Sequence, residues 1–216
     1  MKSAPSPAAA GTPRVFVVDD DPALRRALVM LLECEGLEVE AHASAQAFLN
    51  AYRAEQPGCL LLDIDMPDLT GLELQNLLAQ QGVRIPIIFL TGQADVPKTI
   101  QAFKAGAVDF LEKPASDEVL LDRVRGAIAI DARRRSVEER RAAVLDRLQR
   151  LTPREREVLE LVVAGKSSKE AARELCISHR TVEVHRRRVL EKMRATSLPA
   201  LIEMAHTCGL LSEEPL

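Results

Sequence analysis

Five polar residues in the first half of the chain stand where short apolar runs end, and their types suit phosphoryl chemistry. They are Asp19, Asp20, Asp63, Thr91 and Lys113. Three carboxylates brought together would repel one another unless a hard divalent cation lay among them, and Mg²⁺ takes oxygen ligands of this kind. A carboxylate beside Mg²⁺, a hydroxyl and an ammonium group can accept a phosphoryl group, because the cations neutralise its oxygens. The pattern predicts a Mg²⁺ site with Asp63 as the nucleophile; a buried ion cluster without chemistry is the alternative.

The elements around these residues predict a flavodoxin-like (βα)5 sheet, an α/β fold. Five strand–helix units follow one another, and parallel strands need helical crossovers. The predicted strands lie at or near 14–18, 37–41, 60–62, 85–90 and 107–111. In such a sheet the carboxyl ends of the strands form one ligand crevice, so the order of the chain brings the five polar residues together.

Composition excludes several classes of protein. The cysteines Cys34, Cys59, Cys176 and Cys208 lack the paired spacing of a zinc site or a disulfide scaffold. The sequence has no long uncharged apolar run and no signal peptide, so we expect a cytoplasmic protein that does not meet a membrane. Residues 1–13, rich in Ala, Pro and Ser, are predicted to form a flexible tail.

The charge is distributed unevenly along the chain. The net charge is -3, yet residues 150–195 contain twelve Lys or Arg against seven Glu and no Asp. A basic carboxyl-terminal region on an acidic protein indicates one part that meets nucleic acid, although a solvated helical surface would give the same count.

The basic region predicts an all-α domain with a helix-turn-helix. Thr152, Pro153 and Glu155 form a capping box that begins one helix, and Ser167 with Glu170 begins a short second one. After a turn, a longer helix covers 180–194. Two helices joined by a short turn, the second rich in Arg, are typical of helix-turn-helix DNA-binding domains.

On the long helix, charged residues follow one stripe and apolar residues the opposite one. The predicted outer stripe consists of Arg180, Glu183, Arg187 and Glu191, and the inner one of Val182, Val189, Leu190 and Met193. Arg can pair with guanine and Glu with cytosine in a major groove, while the neighbouring Arg186, Arg188 and Lys192 can hold phosphates. A solvated charged helix is the alternative.

A long helical linker is predicted between the two domains. It contains an apolar seam, interrupted by Arg141, that consists of Val137, Val144, Leu148 and Leu151. The seam fits a coiled-coil contact and packing against the next domain equally well.

The motifs VVDDD, LLLDIDMPDLTG, FLTG and DFLEKP resemble the receiver domain of two-component response regulators. The resemblance implies that a histidine kinase phosphorylates Asp63 and that Lys113 contacts the phosphoryl group. It implies that Asp19, Asp20, Asp63 and the backbone carbonyl of Asp65 hold Mg²⁺. It further implies Thr91 and Phe110 as switch residues and a cis bond between Lys113 and Pro114.

The stretch from 151 onwards resembles the LuxR-type DNA-binding domain. With a receiver in front of it, the whole chain resembles the NarL/FixJ class of response regulators, and within that class the long linker and the segment DVPKTIQAFKAGAVDFLEKP are most similar to FixJ-like regulators. Carried over, Arg180 and Thr181 would contact the DNA backbone, and Glu183, Val184 and Arg187 would face bases. Residues 197–207 would form the helix that pairs two such domains. Two departures stand out: Ser168 replaces a frequent Asn, and Cys176 occupies a turn position that often carries Gly.

The prediction is therefore a transcription factor, expected to be an activator, that forms a homodimer on phosphorylation and binds double-stranded promoter DNA. The predicted parts are a tail (1–13), a receiver domain (14–130), a helical linker (131–150) and a four-helix DNA-binding domain (151–216). We do not expect an enzyme. The alternatives are a haloacid-dehalogenase-like phosphatase, suggested by Asp63 and Asp65, and a signalling adaptor that binds protein instead of DNA.

Overall fold

The structure, a computed structural model, describes residues 11–92 and 96–207. Most of the predicted tail, and Cys208, lie outside the described residues. The chain divides into two compact units, one up to Arg134 and one from Arg135.

The first unit contains a five-stranded parallel sheet. Its strands are β1 (Arg14–Val18), β2 (Glu38–His42), β3 (Gly58–Asp63), β4 (Ile87–Thr91) and β5 (Asp109–Glu112). The strand order is β2-β1-β3-β4-β5, which is the flavodoxin-like order, so the predicted fold class is confirmed. β4 begins two residues later than predicted, because Pro86 has no N–H to donate to the ladder.

Helices connect these strands. They are α1 (Pro22–Cys34), α2 (Ala45–Ala51), α3 (Gly71–Gln80), α4 (Val96–Lys104) and α5 (Asp117–Gln149). The side chains of Asp21, Ser44 and Thr70 cap α1, α2 and α3 by accepting backbone N–H groups. The caps set where each helix begins after its strand, and thereby the length of each loop at the carboxyl edge of the sheet.

Side chains from both faces of the sheet are buried. One face packs residues such as Phe16, Leu60, Leu62 and Phe89 against α2 and α3. The other packs residues such as Val15, Val17, Leu61 and Ile88 against α1 and the start of α5. All six residues of β3 are buried, which explains why this strand reads as a continuous apolar run.

The second unit is helical. After the end of α5 it contains α6 (Pro153–Val163), α7 (Ser168–Glu174), α8 (His179–Met193) and α9 (Leu198–Thr207). The capping boxes at Thr152 and Ser167 form as predicted. Cys176, in the turn between α7 and α8, has a φ of 53°, a backbone conformation that favours glycine. Among the described residues, no helix combines the length and apolarity needed to cross a bilayer.

The seam of α5 packs inside the second unit. Val144, Leu148 and Leu151 are buried in one cluster with Val158 and Met193, whereas Val137 is 52% exposed. The buried part of the seam therefore packs against the helices of the second unit, in agreement with the second of the two interpretations.

Candidate functional site

Carboxylates and an ammonium group converge at the carboxyl edge of the sheet. Lys113 Nζ lies 2.7 Å from Asp19 Oδ2 and 3.1 Å from Asp63 Oδ1. Oxygen atoms of Asp19, Asp20 and Asp63 lie within 4.8 Å of one another. Asp19 and Asp63 are buried and Asp20 is exposed. The structure therefore brings these four sequence-predicted residues into one site that opens to solvent on the side of Asp20.

Asp19 is held by its own loop and by the start of α1. Its Oδ1 accepts the backbone N–H of Asp21 at 2.9 Å, and its backbone carbonyl accepts Arg25 Nη1 at 2.6 Å. Its own N–H donates to the carbonyl of His42 at 3.3 Å. Sequence analysis did not identify Arg25 as a neighbour of Asp19. The position of Arg25 in the first turn of α1, close after the end of β1, is the signal that could have indicated it.

The loop after Asp63 depends on a close backbone approach at Gly71. A Cβ atom at this position would lie 2.2 Å from the carbonyl oxygen of Asp63. Gly71 also donates its N–H to the carbonyl of Ile64 at 2.9 Å. Sequence analysis treated Gly71 only as the start of α3; its place next to the strand-end aspartate indicates the closer role. Asp65, in the same loop, is exposed.

Burial and charge shift the protonation of the two central groups. Burial raises the pKa of Asp63, and the Lys113 ammonium only partly opposes this effect. Burial by itself would lower the pKa of Lys113, but its hydrogen bond to Asp19 and the charge of Asp63 outweigh burial and raise it. One ammonium thus faces two carboxylates. A set of three carboxylates with incomplete compensation is a donor set that fits a hard divalent cation such as Mg²⁺.

Two further predicted residues lie on the strands beside this cluster. Thr91, the last residue of β4, is buried, and its carbonyl accepts the N–H of Lys113 at 2.7 Å. Phe110, in β5, is partly buried, with its ring centroid 6.4 Å from that of Phe89. The peptide bond between Lys113 and Pro114 is cis, as the resemblance implies.

The second candidate surface is the outer side of α8. Val182, Val189 and Met193 are buried, and the predicted base-facing and phosphate-facing residues Arg180, Glu183, Val184, Arg187 and Arg188 are exposed. Thr181 is partly buried, and its Oγ1 lies 2.7 Å from Ser178 Oγ at the start of the helix. The helix therefore presents one continuous polar side with Val184 in its middle.

Two predicted phosphate contacts already have partners within the second unit. Arg186 bonds to the hydroxyl of Ser168 and lies 3.5 Å from Glu183 Oε1. Lys192 Nζ donates to Glu155 Oε2 at 2.6 Å and to the carbonyl of Arg150 at 3.3 Å. Sequence analysis had no signal for the bonds to Ser168, Glu155 and the carbonyl of Arg150, because these partners lie 18, 37 and 42 residues away along the chain.

Glu155 is the buried member of this group. Its side chain is 3% exposed. Burial by itself would raise the pKa of Glu155, but its bonds with Lys192 and Thr152 outweigh burial and lower that pKa. Glu155 is therefore a charged group enclosed by its partners, a role beyond the helix cap that sequence analysis assigned to it.

Comparison with known proteins matches one family to each of the two units. Residues 15–125 match the family described as the response regulator receiver domain, and residues 149–205 match bacterial regulatory proteins of the luxR family. Nodulation protein W of Bradyrhizobium diazoefficiens is 44% identical over 91% of this chain and 86% of its own length. The transcriptional regulatory protein FixJ of Azorhizobium caulinodans is 44% identical over 91% of this chain and 93% of its own.

Two solved structures also resemble more than nine-tenths of the chain. The response regulator StyR aligns with a TM-score of 0.84 at 41% identity, over 91% of this chain and 99% of that one. Full-length FixJ from B. japonicum aligns with a TM-score of 0.57 at 41% identity, over 93% of this chain and 98% of that one.

Proposed function

The chain belongs to the FixJ-like response regulators of the NarL/FixJ class, which bind DNA, control transcription and are not enzymes, and we propose that phosphorylation of Asp63 switches it. Membership in this class excludes the two alternative functions, a haloacid-dehalogenase-like phosphatase and a protein-binding adaptor. The domain boundaries at 14–130, 131–150 and 151–216 stay a prediction.

In the proposed reaction, a phosphohistidine of a cognate histidine kinase donates its phosphoryl group to Asp63. A carboxylate oxygen of Asp63 attacks the phosphorus, a P–O bond forms, and the P–N bond breaks to release the histidine. Lys113 Nζ, 3.1 Å from Asp63 Oδ1, is placed to bind an oxygen of the transferred group. Its bond to Asp19 holds the ammonium in place before that group arrives.

Asp19, Asp20, Asp63 and the backbone carbonyl of Asp65 are the proposed ligands of Mg²⁺. When bound, Mg²⁺ supplies the positive charge that one lysine beside two buried carboxylates cannot supply alone. The proposal is supported by the 4.8 Å grouping of the carboxylate oxygens of Asp19, Asp20 and Asp63. In this arrangement the side chain of Asp65 stays exposed to solvent.

Phosphorylation is proposed to reach the surface of the receiver through Thr91 and Phe110. The hydroxyl of Thr91 moves toward the phosphoryl group, and Phe110 fills the space that opens behind it. The nearby surface of α4 exposes two large apolar residues, Ile100 at 49% and Phe103 at 46%. Such residues suit a contact between two copies of the chain, so we propose that phosphorylation favours a homodimer.

Promoter DNA is proposed to bind the outer side of α8. Glu183, Val184 and Arg187 face bases in the major groove, and Arg180, Thr181 and Arg188 hold the phosphate backbone. A dimer would place two such helices on paired half-sites and activate transcription from them. Phosphate contact by Arg186 and Lys192 stays a prediction, since both already have partners within their own domain.

A single observation carries the switch proposal: the buried carboxylate of Asp63 and the ammonium of Lys113 share the carboxyl end of the sheet, 3.1 Å apart. The test is to incubate the purified protein with acetyl phosphate, with and without Mg²⁺, and to measure the phosphoryl adduct by intact mass. The same samples are then offered a pool of random duplex DNA. We expect an adduct that requires Mg²⁺ and that enhances the selection of a two-fold symmetric site.

The matched variants are Asp63→Asn and Asp65→Asn, which remove one carboxylate each, from the last residue of β3 and from the loop that follows it. Asp63→Asn should form no adduct and select DNA like the unphosphorylated protein, whereas Asp65→Asn should keep its adduct. An adduct on Asp63→Asn would reject Asp63 as the acceptor. Site selection that ignores phosphorylation would keep the DNA-binding function and reject the switch.

A further inference from the structure

The last turns of α5 are part of the DNA-binding unit. Val144 and Leu148 are buried in the same cluster as Val182 and Met193 of the recognition helix α8. Both residues precede the match to the luxR family, which begins at residue 149. The core that supports α8 is therefore incomplete without α5.

Polar bonds join the carboxyl-terminal end of α8 to that of α5. Arg147 Nη1, from α5, donates to the carbonyl of Met193, the last residue of α8, at 3.1 Å. Lys192 Nζ, from α8, donates to the carbonyl of Arg150, just past α5, at 3.3 Å. Each helix thus supplies a cation to the end of the other. We call this pair of bonds the reciprocal cap.

The chemistry of helix ends explains why the reciprocal cap is stabilising. The last four carbonyls of a helix lack partners within the helix, and the helix dipole places partial negative charge there. Arg194, next in the chain, has a left-handed conformation, and its N–H bonds back to Glu191. The carbonyl of Met193 accepts its bond from Arg147 instead.

Buried Glu155 holds Lys192 in place. Glu155 Oε2 accepts Lys192 Nζ at 2.6 Å and the N–H of Thr152 at 2.8 Å. A charge-assisted bond to a buried carboxylate is stronger than a contact with an exposed group. The start of α6, the end of α5 and the end of α8 are therefore linked through one ammonium group.

We propose that the reciprocal cap sets the position of α8 along its axis, which makes Arg147 and Lys192 positioning residues for DNA recognition. The proposal rests on the proposed function in one respect, that α8 reads DNA. Base readout needs side chains at a fixed height in the groove, whereas phosphate attraction tolerates displacement. Loss of the cap should therefore reduce specific binding and leave non-specific binding intact.

The test uses the full-length phosphorylated protein and two DNA probes, a duplex that the wild type selects from a random pool and a scrambled duplex of equal length. Arg147→Gln should weaken binding to the selected duplex on the order of tenfold and leave binding to the scrambled duplex unchanged. Arg147→Lys should restore part of the loss, because an ammonium can still donate to a carbonyl.

Arg150→Gln is the matched control. It removes the same charge three residues away, from a side chain that pairs with Asp146 on the surface, and it keeps the backbone carbonyl that Lys192 binds. We expect its ratio of specific to non-specific affinity to equal that of the wild type. The salt dependence of binding separates positioning from direct contact. Loss of a phosphate contact reduces the magnitude of the negative slope of log K against log salt by about 0.9, whereas loss of the cap leaves the slope unchanged.

Three results would overturn the proposal. They are an unchanged affinity of Arg147→Gln for the selected duplex, an equal fall in its affinity for both duplexes, and a salt dependence made less steep as for a lost phosphate contact. Arg147→Met, which also removes the donor to the Met193 carbonyl, provides a second variant with the same expected fall in ratio, should Arg147→Gln fold poorly by circular dichroism. A wild type that selects no duplex would instead contradict the proposed function, which keeps the two failures distinguishable.

Discussion

The two ends of β3 each meet a buried aspartate, and the surroundings of the two carboxylates differ. At the amino-terminal end, Asp131 of α5 accepts the N–H of Gly58 at 3.0 Å and Arg134 Nη2 at 2.5 Å. At the carboxyl end, Asp63 shares the ammonium of Lys113 with Asp19. A buried charge that accepts bonds from a backbone N–H and a guanidinium stabilises structure, whereas an incompletely compensated carboxylate favours the binding of a cation.

Sequence analysis identified only Asp63 of these two aspartates, because their positions in the sequence differ. Asp63 follows an apolar run directly, so its position at a strand end is visible in the sequence. Asp131 lies within a long, highly charged helical stretch and bonds to a residue 73 positions earlier. Which of the many charged residues on a helix is buried depends on how the helix packs against the sheet, so the pattern of charges does not predict it.

The largest expected effect is at Asp63. Asp63→Asn should abolish phosphoryl transfer from acetyl phosphate, because an amide oxygen is a far weaker nucleophile than a carboxylate. The same change should not lower the free energy of unfolding measured by urea denaturation without Mg²⁺, since it removes a charge whose burial is poorly compensated. A large loss of stability would show that Asp63 is structural in the way that Asp131 is.

Asp131→Ala should have the opposite pattern. It leaves the N–H of Gly58 and the guanidinium of Arg134 without their buried acceptor, so we expect a loss of roughly 2–4 kcal/mol in the free energy of unfolding. The folded fraction should still accept a phosphoryl group on Asp63. Asp122→Ala, on an exposed position of the same helix, is the control for helix propensity and should change stability little.

Gly71→Ala should affect both stability and chemistry, because a Cβ atom there would lie 2.2 Å from the carbonyl of Asp63. We expect a loss of about 1–3 kcal/mol in the free energy of unfolding from the displaced backbone. The rate of phosphorylation should fall too, since the displaced segment carries the acceptor. Gly126→Ala is the control, because a Cβ atom there meets nothing within 4 Å. It should lower neither the free energy of unfolding nor the rate of phosphorylation.

The smallest effect concerns Cys59, the neighbour of Gly58 in β3. Burial, together with the charge of Asp131, raises the pKa of this thiol from 9.0 to about 12. Between these two values the folded state keeps a proton that the unfolded state has lost, so rising pH favours unfolding. This contribution to stability is complete below pH 9.0 and is lost as pH rises toward about 12.

Thiol labelling and denaturation can measure the burial of the Cys59 thiol and its contribution to stability. In the folded protein at pH 9, Cys34 and Cys176, which are exposed, should react with iodoacetamide while Cys59 stays unmodified. In Cys59→Ala the fall of stability with alkaline pH should be shallower than in the wild type. Equal slopes would contradict the assigned cause.

Local chemistry accounts for the part of the fold that sequence analysis predicted. Caps at Thr152 and Ser167, and the continuous apolar run of β3, depend on residues within a few positions of one another. Such patterns predict an element and its first residue, because the groups that bond are already neighbours in the chain. The positions of the acidic residues at strand ends follow from the same patterns.

The partners of the basic residues could not be predicted in this way. Arg186 bonds to Ser168 and Lys192 to Glu155, 18 and 37 residues away. On an exposed helix a positive charge is tolerated at almost any position, so its type and spacing do not show whether it faces DNA or a carboxylate.

The sequence by itself determined the order of elements, the fold class, the convergence of acidic residues at one edge and the membership in a class of DNA-binding regulators. The tertiary structure decided which distant groups meet. Asp131 accepts bonds from Gly58 and Arg134, Gly71 lies against the backbone of Asp63, and Arg147 and Lys192 bond to carbonyls at helix ends. The physical reason is that periodicity and capping act over one or two turns of chain. Compensation of a buried charge depends on whichever distant segment the packed core brings within about 3 Å.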